Sequence, residues 1–162
     1  MDSQVLKRRV RFILCFFIFG LALSGLTAIP IRWEIRILED LIGEGTFMEI
    51  VYPPMAHWIS FVHRGLTNIP GESSFIYYGT DWLAFAHIVI AIAFIGPLRD
   101  PVRNIWVIEF GMIACVLVIP LALIAGRIRG IPFFWQLIDC SFGIVGIIPL
   151  WICRRYIKRM EK

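Results

Sequence analysis

Long apolar runs alternate along the chain with short segments that hold most of the charged residues. Four of these runs approach the ~20 apolar residues that cross a bilayer as a helix, and they cover residues 12–31, 81–98, 105–126 and 136–153. The pattern predicts an all-α integral membrane protein, a four-helix bundle that forms a single membrane domain over residues 1–162. The first run follows several basic residues, as in a signal peptide, but it exceeds a typical apolar signal core, so we interpret it as a retained helix.

The composition supports lipid as the main solvent of this chain. Of its 162 residues, 59% are hydrophobic and 17% are charged, whereas a soluble domain has about half and about a quarter, respectively. This balance argues against a soluble enzyme, a disordered chain or a disulfide-stapled secreted module. The net charge of +4 comes from residues at the edges of the apolar runs, so nucleic acid is not an expected partner.

Lysine and arginine are distributed unequally between the two sets of segments that separate the runs. Eleven of them lie in segments 1–11, 99–104 and 154–162, and five lie in the longer segments 32–80 and 127–135. Because basic residues favour the cytoplasmic side, both termini are predicted to be cytoplasmic (N-in, C-in). The expected location is therefore the cell inner (plasma) membrane, with membrane lipids as the first partners.

Segment 32–80, the first extracytoplasmic loop in this topology, is too long to be a simple connector. Apolar residues recur at helical spacing over residues 33–42 and again over residues 55–66. Glycine and proline residues separate the two stretches and favour breaks in the helix: Gly43, Gly45, Pro53 and Pro54. The loop is therefore expected to contain two short amphipathic helices, lying on the headgroups or capping the bundle.

Neither the cysteines nor the loop histidines form a recognisable metal or redox motif. All four cysteines lie within apolar runs and none forms a C-x-x-C pair, so they are expected to be packing residues: Cys15, Cys115, Cys140 and Cys153. His57 and His63 are six residues apart, about 120° around a helix, whereas zinc-binding pairs prefer a spacing of three or four. We expect these two histidines to face solvent and no metal site to form.

Asp139 is the first of three candidate ligand-binding residues. It lies on the same face of the fourth run as the small residues Gly143 and Gly146, so it is expected to point into the bundle. An ionisable group inside a span is costly and marks a functional site by default. The alternative is a carboxylate near the outer end of the span that reaches the interface.

His87 and Asp81 are the other two candidates, both in the second run. His87 lies about 10 Å below the outer end of this run, where it could carry a proton, ligate a metal or haem, or donate a hydrogen bond to a carbonyl. A His87–Asp139 pair is the specific hypothesis. Asp81 follows Gly79 and Thr80, and N-capping or compensation of the helix dipole would explain it without a ligand.

Small residues at helical spacing predict where the helices approach one another, since close packing in lipid needs small side chains. We expect three such stripes: Gly20, Ser24 and Ala28 in the first run, Gly111, Cys115, Ala122 and Gly126 in the third, and Gly143 and Gly146 in the fourth.

Three functions remain open from the sequence. The first is a site for a polar ligand or a proton in the outer half of the bundle, formed by His87, Asp139 and Asp81. The second is an accessory or scaffold bundle that assembles with other membrane subunits or with copies of itself. The third is a b-type haem or quinone subunit, which would need a second histidine facing His87. Neither an enzyme class nor a cofactor follows from the pattern.

Overall fold

The computed structural model describes residues 3–161, and it is 87% helix with no strand in that range. Eight α-helices follow one another within these residues: α1 (Ser3–Ala28), α2 (Ile31–Ile42), α3 (Phe47–Val51), α4 (Pro53–Thr67), α5 (Tyr78–Ala93), α6 (Ile95–Arg99), α7 (Ile105–Ile128) and α8 (Phe133–Met160). A 3-10 helix, Gly71–Tyr77, precedes α5. The all-helical class predicted from the apolar pattern is confirmed.

Four helical segments are long and apolar enough to cross a bilayer: Ser3–Ala28, Gly71–Arg99, Ile105–Ile128 and Phe133–Met160. Helices α1 and α8 extend well beyond the apolar runs, through the basic residues at the two ends of the chain. Lysine and arginine are good helix formers, so leaving the apolar run does not end a helix. Hydropathy therefore located the candidate spans but not the ends of these two helices.

The second candidate span is interrupted between α5 and α6. Pro97 has no N–H group to donate to the carbonyl of Ala93, four residues earlier, so the α-helical pattern breaks at Phe94. Pro120 and Pro149 lie inside α7 and α8, which continue through them.

Contacts divide the chain into two compact units, residues 1–21 with 89–162, and residues 22–88. The first unit has a core formed by α1, α7, α8 and the residue between α5 and α6. Its buried members are Val10, Leu14, Phe94, Val107, Ile108, Leu150, Cys153 and Ile157. Val10 and Leu14 are one helical turn apart, so one face of α1 supplies this core.

Glycines set the close approach of α7 to α8 in the first unit. A methyl group at Gly143 would overlap the carbonyl oxygen of Cys115 and lie 2.8 Å from Val118 Cγ1. At Gly126 it would lie 2.7 Å from the Cγ atom of Gln136. The expected stripes of small residues in the third and fourth runs are confirmed at these positions, because any larger side chain would force the helices apart.

The stripe expected in the first run is wrong. A methyl group at Gly20 would meet nothing within 4 Å, whereas one at Gly25 would lie 2.9 Å from the carbonyl oxygen of Ala84. Gly25 and Gly20 are about 140° apart around α1, so the glycine that permits close packing in the second unit lies on another face. Small residues that face away from packed helices give the same sequence pattern as those between helices.

Helices α2, α3 and α4, residues 31–67, form a packed group in the second unit, and we call them the loop helices. Ile35 of α2 is buried with Ala56 and Ile59 of α4. Thr46 caps α3 by accepting a hydrogen bond from the Met48 N–H at 3.2 Å. Helices α2 and α4 cover the two stretches with helical spacing, and α3 lies between them. The side of a membrane on which they lie stays a prediction.

Candidate functional site

Asp81 lies in a surface groove of about 240 Å³ on the first turns of α5. The other residues that line this groove are Tyr78, Trp82 and Phe85. Counted from Tyr78, the four occupy positions i, i+3, i+4 and i+7 of one helix, so they share one face. We call this set the aromatic groove.

The three rings of the aromatic groove stand edge to face. Tyr78 and Trp82 have ring centroids 5.9 Å apart at 84°, and Trp82 and Phe85 have centroids 5.8 Å apart at 86°. Ring faces carry partial negative charge and attract cations. The surface of the groove is almost entirely apolar, and the exposed residue Asp81 borders it. The rings would therefore make the contact with a positively charged group, and Asp81 supplies a nearby negative charge.

Asp81 is a candidate from the sequence, but its aromatic neighbours were not predicted to belong to the same site. Their signal was present in the spacing Y-x-x-D-W-x-x-F at residues 78–85. Tyrosine and tryptophan are also frequent at membrane interfaces for reasons unrelated to a ligand. What distinguishes this groove from ordinary interfacial aromatic residues is that Asp81 and all three rings lie on one face of the helix.

His87 lies on the same helix as Asp81 but not on the same face, since six residues turn a helix through about 240° net. Its Nδ1 atom is 2.8 Å from the carbonyl oxygen of Leu83. A carbonyl oxygen only accepts, so Nδ1 donates in this hydrogen bond. His87 is partly buried, and a methyl group at Gly25 would lie 3.0 Å from its Cβ. The structure therefore satisfies one ring nitrogen of His87 within its own helix, and Nε2 makes no hydrogen bond within residues 3–161.

Asp139 is partly buried on α8 in the first unit. Across residues 3–161, its carboxylate has no recorded hydrogen bond or ion pair. His87 belongs to the second unit, so the pairing of His87 with Asp139 stays a prediction.

A second polar cluster, not predicted from the sequence, joins the loop helices. Glu44 accepts hydrogen bonds from His57 Nδ1 at 2.6 Å and from Arg64 Nη1 at 2.8 Å. His57 was expected simply to face solvent, and it is largely exposed, but it is bound to this carboxylate. The turn before α3, where Gly45 has φ +83°, brings Glu44 to α4 from 13 residues away. Helical spacing cannot reveal a contact made through such a turn.

The Arg64 guanidinium and the His57 ring hold the pKa of the Glu44 carboxyl below its ordinary value of 4.5. A lowered pKa in the folded state means that ionised Glu44 stabilises the loop helices at pH values above 4.5. This contribution is lost as the pH falls through the lowered pKa, because protonation removes the ion pair.

Ser60 connects this cluster to α2 from a fully buried position. Its hydroxyl lies 2.8 Å from both carboxylate oxygens of Glu39, to which it donates, and it accepts from the Glu44 N–H at 2.9 Å. Since Ser60 is inaccessible, its role is to hold α2, the turn and α4 together. In the described range, no group of three or more His, Cys, Asp or Glu residues is arranged to hold a metal ion.

The three residues expected to form one site therefore occupy different settings. Asp81 lines an aromatic groove, His87 has one nitrogen bound within its own helix, and Asp139 lies in the other unit. No protein-family model, curated protein or solved structure matches this chain.

Proposed function

We propose that this chain is a small multi-pass protein of the inner membrane, with both termini cytoplasmic, that binds a small positively charged ligand in the aromatic groove. The observation that carries the proposal is the placement of Asp81 and three aromatic residues on one face of α5, around a single groove. The excess of basic residues in segments 1–11, 99–104 and 154–162 supports the orientation.

The chemistry of the aromatic groove favours an ammonium group as the ligand. A cation over an aromatic face gains about 0.5–1 kcal/mol at an exposed site and about 2 kcal/mol when desolvated. The groove is open and small, about 240 Å³, so it would hold one headgroup rather than a drug-sized molecule. Both an amine-bearing lipid headgroup and a free amine have the required charge.

Choline and its neutral isostere 3,3-dimethylbutan-1-ol test the proposal, since the two differ mainly in charge. We expect ligand-observed NMR to show saturable binding of choline to the purified protein and none of the neutral alcohol. Asp81→Asn should weaken choline binding about tenfold. Asp40→Asn, which removes an exposed carboxylate from α2, is the matched control and should leave binding unchanged.

Equal binding of the alcohol and of choline, or unaltered binding by Asp81→Asn, would contradict the proposal. Competition by vesicles of phosphatidylcholine, but not of phosphatidylglycerol, would identify the ligand as a lipid headgroup. Competition by soluble amines alone would identify a free ligand.

A second, proton-binding role is proposed for His87 and Asp139. It is supported by the arrangement at His87, where Nδ1 donates to the Leu83 carbonyl and Nε2 makes no hydrogen bond within residues 3–161. If the two residues form a linked pair, His87→Gln and Asp139→Asn should each change how the thermal midpoint depends on pH. The double variant should then resemble either single variant, because coupled residues are not additive. If the effects of the two substitutions on the pH dependence were additive, or if neither had an effect, the linked pair would be contradicted.

A further inference from the structure

A groove of about 570 Å³ runs along the first turns of α1 and is bordered on the α8 side by Tyr156. All of it lies in the first unit. The residues of α1 that line it follow the spacing i, i+3, i+4, i+7 and i+8, which is one face of the helix: Val5, Arg8, Arg9, Phe12 and Ile13. We call these five residues and Tyr156 the basic groove.

The lining of the basic groove is layered along the axis of α1. Arg8 and Arg9 form a cationic level, that is, a positively charged part of the lining. Phe12 and Ile13 form an apolar level, one helical turn further into the candidate span. One turn of helix rises about 5.4 Å. A phospholipid has the same layering, with its phosphate next to the start of its acyl chains.

Within residues 3–161, the two arginines of the basic groove differ from Arg11 and Arg154, whose guanidinium groups are already bound. Arg11 donates from Nε to the carbonyl of Leu98 at 3.2 Å, and Arg154 pairs with Glu109 at 2.8 Å. For Arg8 and Arg9, no hydrogen bond or ion pair is recorded within residues 3–161. The guanidinium groups of Arg8 and Arg9 are thus available to an external anion.

None of the described residues that line the basic groove has a carboxylate. A zwitterionic headgroup carries an ammonium group as well as its phosphate, and this ammonium would meet two arginines without a compensating acid. An anionic headgroup avoids that repulsion. A free phosphate would gain nothing from the apolar level, where the Phe12 side chain is 78% exposed.

We propose that the basic groove binds an anionic phospholipid, with Arg8 and Arg9 on its phosphate and an acyl chain along Phe12 and Ile13. Arginine suits this task because its planar group donates two parallel hydrogen bonds to phosphate oxygens. Basic pockets beside membrane-spanning helices are typical sites for acidic lipid headgroups. The Tyr156 hydroxyl borders the same space and can donate to the headgroup.

Native mass spectrometry of the full chain in detergent, with added phosphatidylglycerol or phosphatidylcholine, tests this site. We expect phosphatidylglycerol to bind in preference to phosphatidylcholine. Each basic residue near an anionic lipid contributes a factor of about five in affinity, so the double variant Arg8→Gln/Arg9→Gln should lose about thirtyfold. The matched control is Arg127→Gln/Arg129→Gln, which removes two exposed arginines, one in the last turn of α7 and one directly after it, and should keep the affinity.

A charge-preserving variant separates binding from folding. Arg8→Lys/Arg9→Lys should retain part of the preference for phosphatidylglycerol, because its charge is unchanged while the paired hydrogen bonds are lost. An equal loss in the control variant, or equal binding of the two lipids, would overturn the proposal. Displacement of the lipid by millimolar inorganic phosphate would also overturn it, because the site would then recognise a free anion.

Discussion

Replacing Gly143 by alanine is expected to lower the free energy of unfolding by about 1–3 kcal/mol, the usual cost of overpacking a tight interface. The added methyl group would overlap the carbonyl oxygen of Cys115 and crowd Val118. A backbone carbonyl cannot rotate away as a side chain can, so α7 and α8 must separate. Separation also weakens the neighbouring contact between Gly146 and the Cys115 sulfur, which a methyl group would approach to 3.1 Å.

Unfolding of the purified protein by increasing denaturing detergent, followed by circular dichroism, measures this loss. Gly20→Ala is the matched control, since it makes the same chemical change in a helix where nothing lies within 4 Å of the new methyl group. We expect the control to unfold like the wild type. If the two variants unfolded alike, the close approach of α7 and α8 at Gly143 would be wrong.

Ser60→Ala is the second substitution with a large expected effect, and it acts within the loop helices. It removes the donor to Glu39 and the acceptor of the Glu44 N–H from a fully buried position. A buried polar group left without its partner costs about 1–3 kcal/mol, and more when it is charged. The contact between α2 and α4 should therefore open more often, while the first unit keeps its stability.

Hydrogen exchange read out by mass spectrometry separates these two regions. We expect faster exchange in peptides from residues 31–67 and unchanged exchange in peptides from α7 and α8. Ser74→Ala, at an exposed position of the 3-10 helix, is the control and should change neither. Uniformly faster exchange along the chain would show that the loop helices do not open as a separate group.

The candidate spans were predictable because the cost of burying charge in hydrocarbon imposes long apolar runs on the sequence. The packing face of α1 was not predictable from small residues, since Gly20 and Gly25 look equivalent in the sequence while Gly25 alone approaches Ala84. Likewise, Pro97 lies inside an apolar run, and hydropathy does not register that it ends α5 by removing a backbone donor.

The candidate site was predictable only one residue at a time. Asp81 was identified by its charge beside a span, but its value as part of a site comes from the rings at residues 78, 82 and 85. The Glu44–Arg64 ion pair spans 20 residues and depends on a turn whose path no helical periodicity encodes. Local sequence patterns thus reveal helices and individual charged residues, whereas contacts formed through turns are seen only in the three-dimensional structure.

Phe94, where the α-helical pattern of the second candidate span is interrupted, is held tightly by packing. The Phe94 ring is 1% exposed and lies 4.8 Å from the ring of Phe17, and Pro97 and Pro101 are also fully enclosed. Removing a buried phenylalanine ring costs about 3–5 kcal/mol, so any movement that exposed Phe94 would carry a cost of similar size. The interruption therefore coincides with one of the most firmly packed positions of the first unit, and we expect it to stay rigid.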